Sequence, residues 1–397
     1  MPEASLTCID LWCKAGSSYE ENGEEGIAHF LEHMIFKGSD QIKEGEFDLR
    51  IEALGGSSNA ATGLDDVHFY VLVPPHAIEK AIDLLINLVL SPCLKEKAYS
   101  LEREVVLEEI AQQSDQPDEQ IFQMVLENCW KKHPYGKPIL GNENSLRRSN
   151  ANAMKKFHER LYIAKNIALA IAGKIPSDIE NIINKSELSK LPNYKESPSS
   201  VKGYETIPFE TGRKEVEVKR LESARIIMAW PIPCANDQNS IMGFDLATSL
   251  LGEGRRSRLV YKLREELQIV ESIDMDITTL EQSGLIMLEA CCLEKDVKEV
   301  EYCINQILTE SILTSPTKKE TERAKQLVRT GLYFSLEVPS QVAALTGSQI
   351  LWERYQPLLE PLDHMNYWSS DMLCKEVFNQ LQPERSFTLI ARPQQEE

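Results

Sequence analysis

A short segment near the start of the chain, Gly26 to Gly38, constrains the structure more than any other. It reads GIAHFLEHMIFKG, and no proline or glycine interrupts it between its end glycines, so it predicts one helix of about three turns. Helix residues four apart share a face, so His29 and His33 can bind one metal ion through neutral imidazoles. Glu32 lies on the same face and can act on a metal-bound water.

The order of these residues, H-x-x-E-H, is the reverse of the H-E-x-x-H arrangement on other zinc-binding helices. The alternative is a solvated helix face that carries two histidines and a glutamate by chance. The chain has only seven histidines, and two stand here at metal-binding spacing, which favours the metal site. Catalytic zinc needs three protein ligands and an open position. A distant carboxylate could be the third, but spacing alone does not choose among 62 acidic residues.

The length, charge and cysteine content of the chain limit its domain number, its partners and its location. A chain of 397 residues predicts two domains. A net charge of −19 argues against nucleic acid as a partner. There is no signal-peptide core and no long apolar run, so we expect a soluble chain with no membrane contact. Nine cysteines without C-x-x-C spacing indicate a reducing, cytoplasmic location with mostly buried thiols.

The pattern of strands and helices predicts two α+β domains. Alternating segments at 5–13, 57–62, 67–73 and 167–172 predict strands, and helical periodicity predicts helices at 76–90, 95–130 and 151–161. Since a domain seldom opens on an inner strand, we expect a further strand before residue 5. A polar, Pro- and Ser-rich stretch separates the domains, which we place at 1–190 and 205–397 with a linker at 191–204.

The second half repeats part of the first. Residues 321–329 resemble residues 101–109, and both stretches follow a helix and a Ser-Pro dipeptide. In this alignment Arg329 stands where the first half has Glu109, and the second half has no H-x-x-E-H segment. This indicates a duplicated α+β unit whose second copy lacks the metal site.

Together these motifs resemble the pitrilysin, insulinase and mitochondrial processing peptidase family of metallopeptidases, nearest to its shorter bacterial and organellar members. The motifs occur in order: the helix 26–38, Asn59-Ala60, the segment 102–109 and His133-Pro134-Tyr135-Gly136. In that family the third zinc ligand is a glutamate that stands seven residues after the Glu of a Glu-Arg pair. In this sequence the pair begins at Glu102, so the ligand is Glu109. The resemblance therefore implies one Zn²⁺ per chain, held by His29, His33 and Glu109. It also implies that Glu102 is an acid that supports this site from outside the ligand set.

The resemblance also implies a fold and a mode of substrate binding. The fold class is α+β, with two related domains that each have a mainly antiparallel β-sheet and helices packed on one face. Asn59 and Ala60 match the edge strand on which such enzymes bind an extended peptide as an added strand. Without the resemblance, residues 57–62 would be interpreted as a polar loop before a strand.

The far half of such enzymes commonly holds the peptide through an Arg and a Tyr seven residues later. The surrounding pattern places the Arg at Arg264, but Glu271 stands at the Tyr position. Arg264 could alternatively form only an ion pair with a neighbouring Glu. The chain is thus expected to work as a homodimer, or as a heterodimer with a metal-free sister chain that carries the Arg/Tyr pair.

The implied activity is zinc-dependent hydrolysis of peptide bonds in short unstructured peptides or presequences, enclosed between two two-domain halves. Glu32 would be the catalytic base for a water that zinc acidifies. One alternative is a non-catalytic or partner-dependent subunit of a processing-peptidase-like complex, which the residue Glu271 favours. Another is a peptide-binding protein with a structural metal, but structural zinc usually has four Cys or His ligands and no fourth is evident.

Overall fold

The computed structural model of the protein describes residues 1–191 and 207–394. The chain divides into two compact units, each with one β-sheet. Of the described residues, the first unit contains 1–112, 137–191 and 334–356, and the second contains 113–136, 207–333 and 357–394. Apart from residue 191, the predicted linker 191–204 lies outside the described residues.

The described residues contain the following strands and helices, numbered in chain order. The strands are β1 (Thr7–Cys13), β2 (Ser57–Thr62), β3 (Val67–Val73), β4 (Ile167–Ala172), β5 (Gly212–Val218), β6 (Ala224–Ile232), β7 (Ser272–Thr279), β8 (Gly284–Cys292) and β9 (Phe387–Pro393). The longer helices are α1 (Ile27–Ile35), α2 (Glu46–Ala53), α3 (Ile78–Leu90), α4 (Glu96–Ser114), α5 (Pro117–Cys129), α6 (Glu143–Arg148), α7 (Ala151–Leu161), α8 (Ile179–Lys185), α9 (Gln238–Leu251), α10 (Val297–Leu313), α11 (Lys318–Leu336) and α12 (Pro339–Leu351). Shorter helical segments are Val260–Glu266, Pro361–His364, Ser370–Met372 and Leu373–Val377, of which the first and last are π-helical.

The two sheets share one strand connectivity, as expected for related domains. The first sheet has the order β2-β3-β1-β4 and is antiparallel throughout. The second has the order β5-β9-β6-β8-β7, in which β7-β8-β6-β9 repeats the arrangement of the first sheet. Only β5 and β9 pair in parallel among the described strands. The predicted fold class, two related α+β domains with mainly antiparallel sheets, is confirmed.

Both faces of the first sheet are buried along β1, and different helices pack on the two faces. Ile9, Leu11 and Cys13 belong to the main core, in which α1 and α3 pack on the sheet and α7 packs against α1. Cys8 and Trp12 face α12, whose Gly347 lies so close that an added Cβ would stand 2.3 Å from the Trp12 ring. Helices therefore lie on both faces of this sheet, whereas we expected them on one face.

The predicted domain limits differ from the two units in two segments. Residues 334–356, with α12, belong to the first unit, and residues 113–136, with α5, belong to the second. The cause is packing: α12 covers the second face of the first sheet, and α5 buries Ile121 and Val125 beside β6 and β9. Domains drawn as continuous stretches of sequence cannot show such an exchange.

Candidate metal centre

Two helices of the first unit bring His29, His33 and Glu109 together. The distance from His29 Nε2 to Glu109 Oε1 is 3.7 Å, and that from His33 Nε2 to Glu109 Oε2 is 3.4 Å. One donor atom from each residue lies within 4.8 Å of the others, and residues 1–191 and 207–394 contain no second such group of His, Cys, Asp and Glu. Two imidazoles and one carboxylate form a donor set that suits zinc and leaves a coordination position open.

Helix α1 is fixed at its first residues by backbone contacts and by the carboxyl group of Glu20. Gly26 precedes the helix with φ of 91°, and an added Cβ would stand 2.4 Å from the Leu140 carbonyl oxygen. Glu20 Oε1 accepts hydrogen bonds from the backbone N–H groups of Gly26 at 3.1 Å and Ala28 at 2.9 Å. These bonds satisfy donors that a helix start leaves free, so the segment that carries the histidines is held at its beginning.

The environment of His29 keeps its imidazole neutral. Burial, and secondarily the nearby His33, lower the pKa of His29 to about 4. A neutral imidazole has the lone pair that a metal ligand needs. Its Nε2 faces Glu109 and is therefore the nitrogen directed at the shared metal position, whereas Nδ1 is buried and has no hydrogen-bond partner among the described residues.

Glu102 lies behind His33, two helical turns from Glu109 on α4. Its Oε1 is 3.1 Å from His33 Nδ1, and its Oε2 is 2.6 Å from Lys37 Nζ. A carboxylate that accepts from Nδ1 fixes the orientation of the ring and directs Nε2 toward the metal position. Glu108, in contrast, is exposed on another side of the helix.

Glu32 points from α1 to the edge strand of the sheet. Its Oε2 accepts a hydrogen bond of 2.5 Å from the hydroxyl of Thr62, the last residue of β2. Burial raises the pKa of Glu32, and the Thr62 hydrogen bond is the largest of the effects that lower it. A carboxyl group with a raised pKa is a better proton acceptor than an ordinary surface glutamate.

The residues predicted to bind substrate divide between the two units. Asn59 and Ala60 lie on β2, which is the edge strand as predicted; Asn59 is exposed, and Ala60 packs on the core. Arg264 lies in the second unit within the π-helical segment, exposed and without an ion-pair partner among the described residues. The ion pair that we considered for Arg264 is therefore not formed.

Glu271, which the family resemblance leads us to compare with a tyrosine, has hydrogen-bond partners within the second unit. Its carboxylate accepts hydrogen bonds from Ser223 Oγ at 3.0 Å and from Cys291 Sγ at 3.2 Å. The Cys291 and Ser223 hydrogen bonds lower the pKa of Glu271. The carboxylate of Glu271 is thus held by Cys291 on β8 and by Ser223, the residue before β6.

Two residues of the site did not emerge from the sequence. Thr62 follows Asn59-Ala60-Ala61 directly, so its place in an alternating edge strand was the available signal. Lys37 lies near the end of the predicted helical segment but just beyond the observed end of α1, and its partner Glu102 is 65 positions away in sequence. Contacts between residues so far apart leave no local pattern.

Two family models match most of the chain. The model described as "Insulinase (Peptidase family M16)" matches residues 2–143, which include the whole donor set. The model described as "Peptidase M16 inactive domain" matches residues 149–328. The second match agrees with a related second unit in which the described residues contain no metal-binding group.

Several bacterial proteins are similar over most of their length. An "Uncharacterized zinc protease" of Rickettsia bellii is 29% identical over 343 residues, covering 85% of this chain and 80% of the relative. The zinc protease PqqE of Helicobacter pylori is 24% identical, covering 89% of this chain and 80% of the relative.

Solved structures show the same fold at lower identity. A protease from Helicobacter pylori superimposes with a TM-score of 0.86 at 23% identity, over 98% of this chain and 94% of the other. A protein described as a peptidase M16 inactive domain, from Pseudomonas fluorescens, gives a TM-score of 0.86 at 18% identity, over 100% and 95% of the two chains. Within residues 1–191 and 207–394, no helix has the length and apolar character needed to cross a bilayer.

Proposed function

This chain belongs to the insulinase (M16) peptidase family, and we propose that it is a zinc-dependent endopeptidase that cleaves short unstructured peptides or presequences. One observation carries the proposal: His29, His33 and Glu109 converge within 4.8 Å, and Glu32 lies on the helix that carries the two histidines. The names of similar proteins, which include several zinc proteases, support it.

In this proposal each residue of the site has one role. His29, His33 and Glu109 hold one Zn²⁺, and Glu102 fixes the ring of His33. The bound ion supplies Lewis acidity toward water and toward a peptide carbonyl. Glu32 takes a proton from the attacking water and delivers it to the leaving amine, for which its raised pKa is suited.

The edge strand β2 would bind the substrate. Only β3 pairs with β2 among the described strands, so the outer edge of β2 presents backbone donors and acceptors. A peptide added there as a further strand runs past Thr62 and therefore past Glu32. This mode needs an extended backbone, which favours unstructured peptides over folded proteins.

The partner is part of the proposal. A second two-domain half would enclose the peptide, either as an identical chain or as a metal-free sister chain with the Arg/Tyr pair. The engaged carboxylate of Glu271 favours the sister chain, because it replaces the tyrosine with an acid that its own sheet already binds. The second candidate function is a subunit that is inactive without its partner, and it rests on the same hydrogen bonds of Glu271.

Zinc analysis combined with a cleavage assay tests the proposal. The purified chain is expected to bind one zinc and to cleave quenched unstructured peptides, either alone or after addition of a sister chain. A chelator should stop cleavage and zinc should restore it, whereas a stably folded protein should stay intact. A chain that binds no zinc, or that binds zinc and cleaves no peptide alone or with its partner, would contradict the proposed endopeptidase.

A further inference from the structure

We propose that Lys37 is a positioning residue of the metal centre that acts through Glu102 on His33. The inference rests on the proposed zinc site and goes beyond it by one residue that no motif assigns. Lys37 stands just beyond the end of α1, and Glu102 stands on α4. Their ion pair therefore connects the two helices that supply the metal ligands.

The two oxygens of Glu102 have separate partners. Oε1 lies 3.1 Å from His33 Nδ1, and Oε2 lies 2.6 Å from Lys37 Nζ. The Glu102 side chain is only 10% exposed, so water can replace little of what these partners provide. A carboxylate held at both oxygens cannot rotate, and the ring that it contacts keeps the orientation in which Nε2 faces Glu109.

Loss of the ammonium group would leave a buried carboxylate oxygen without its partner. Such an oxygen is costly to leave unpaired, so the side chain is expected to turn toward solvent and to release His33 Nδ1. Glu44, the other acid near Lys37, cannot replace Glu102 as the link between Lys37 and His33. Its carboxylate is 4.0 Å from Lys37 Nζ, and its side chain is 68% exposed. The effect of Lys37 on the metal should therefore pass through Glu102 alone.

Zinc affinity, measured by competition with a chelator on the full chain, tests this inference. Lys37→Met is expected to weaken zinc binding about tenfold, the lower end of what loss of a supporting partner costs. Lys37→Arg, which keeps the charge, should bind zinc within about twofold of the wild type. Lys43→Met is the matched control, since Lys43 is an exposed lysine on the following loop, and it should leave zinc affinity unchanged.

A double-mutant cycle separates positioning from a general structural effect. If Lys37 acts through Glu102, then Lys37→Met combined with Glu102→Gln should bind zinc no more weakly than Glu102→Gln alone. The absorption bands of bound Co²⁺ should shift in both single variants, because the ring of His33 changes orientation. Thermal unfolding of the metal-free variants monitors folding, and Lys37→Ala, which also removes the ammonium group, carries the test if Lys37→Met does not fold.

Three results would overturn the inference. The first is unchanged zinc affinity in Lys37→Met. The second is a double variant in which the losses of zinc affinity of the two single variants multiply. The third is a folded Lys37→Arg protein that loses about as much zinc affinity as is expected of Lys37→Met. A wild-type chain that binds no zinc would instead refute the proposed function, and the inference would fall with it.

Discussion

Thr62 Oγ1 donates a hydrogen bond of 2.5 Å to Glu32 Oε2 and so connects the edge strand to the helix that carries the metal-binding histidines. The bond places the carboxylate of Glu32 beside the last residue of β2. A peptide paired along this strand would therefore pass the proposed base. Burial raises the pKa of Glu32, and the same bond opposes that rise.

Thr62→Val should shift the acid limb of the pH profile of kcat/KM to higher pH. The hydroxyl stabilises the ionised carboxylate and lowers the pKa of Glu32, so its removal raises that pKa and leaves less base at low pH. Thr62→Ser keeps the hydroxyl and should retain the wild-type limb. A limb that stays in place in Thr62→Val would show that this bond does not control the base.

Glu109→Gln should bind zinc more than about 100-fold more weakly than the wild type, because it loses a charged ligand rather than a supporting partner. Glu108→Gln is the matched control: the neighbouring glutamate is exposed, and its replacement should leave zinc affinity unchanged. Competition with a chelator measures both. If the two variants lost affinity equally, the assignment of Glu109 as the ligand would be wrong.

Glu20→Gln should make the zinc-free protein relatively more stable at high pH. Burial raises the pKa of Glu20 to about 8, although hydrogen bonds from Ala28 and Gly26 lower it. Between its ordinary pKa and 8 the folded state holds a proton that the unfolded state has released, so stability falls as pH rises through this range. Glutamine keeps an acceptor oxygen for the start of α1 and does not ionise.

From pH 6 to pH 9 the wild type should therefore lose about 2 to 3 kcal/mol of unfolding free energy relative to Glu20→Gln. Urea unfolding of both proteins at the two pH values measures this difference. An equal pH dependence in the two proteins would mean that Glu20 is already ionised at neutral pH.

Gly347→Ala should destabilise the protein by about 1 to 3 kcal/mol, because the new methyl group would overlap the buried Trp12 ring where α12 packs on the first sheet. Gly331→Ala in α11 is the matched control: an added Cβ there meets nothing within 4 Å, and alanine favours a helix. It should stabilise the protein by about 0.5 to 1 kcal/mol. Urea unfolding checks both, and a Gly347→Ala protein as stable as the wild type would contradict the packing of α12 against Trp12.

The part of the site that the sequence predicted is local. The spacing of His29, Glu32 and His33 is a property of one helix, and the helix forms at Ile27–Ile35 within the predicted segment. Glu109 and Glu102 lie two turns apart on α4, so they share a face as their spacing required. The choice of Glu109 among the acids came from the family resemblance, because nothing local distinguishes it.

The part that the sequence did not predict depends on contacts between distant segments. No pattern predicted β9 or α12, and none indicated that α12 covers the first sheet while α5 joins the second unit. The partners of Glu32 and Glu102, Thr62 and Lys37, also come from other elements. The roles of Asn59, Ala60 and Arg264 in substrate binding stay predictions.

The most direct test of the account is the rate at which the zinc-loaded Glu32→Gln chain cleaves a quenched peptide, with zinc content measured on the same sample. Glutamine keeps the size of the side chain and its hydrogen bond with Thr62 but cannot take a proton from water. We predict one zinc per chain, as in the wild type, with cleavage reduced at least about 100-fold. Cleavage by Glu32→Gln at the wild-type rate would contradict the assignment of Glu32 as the base.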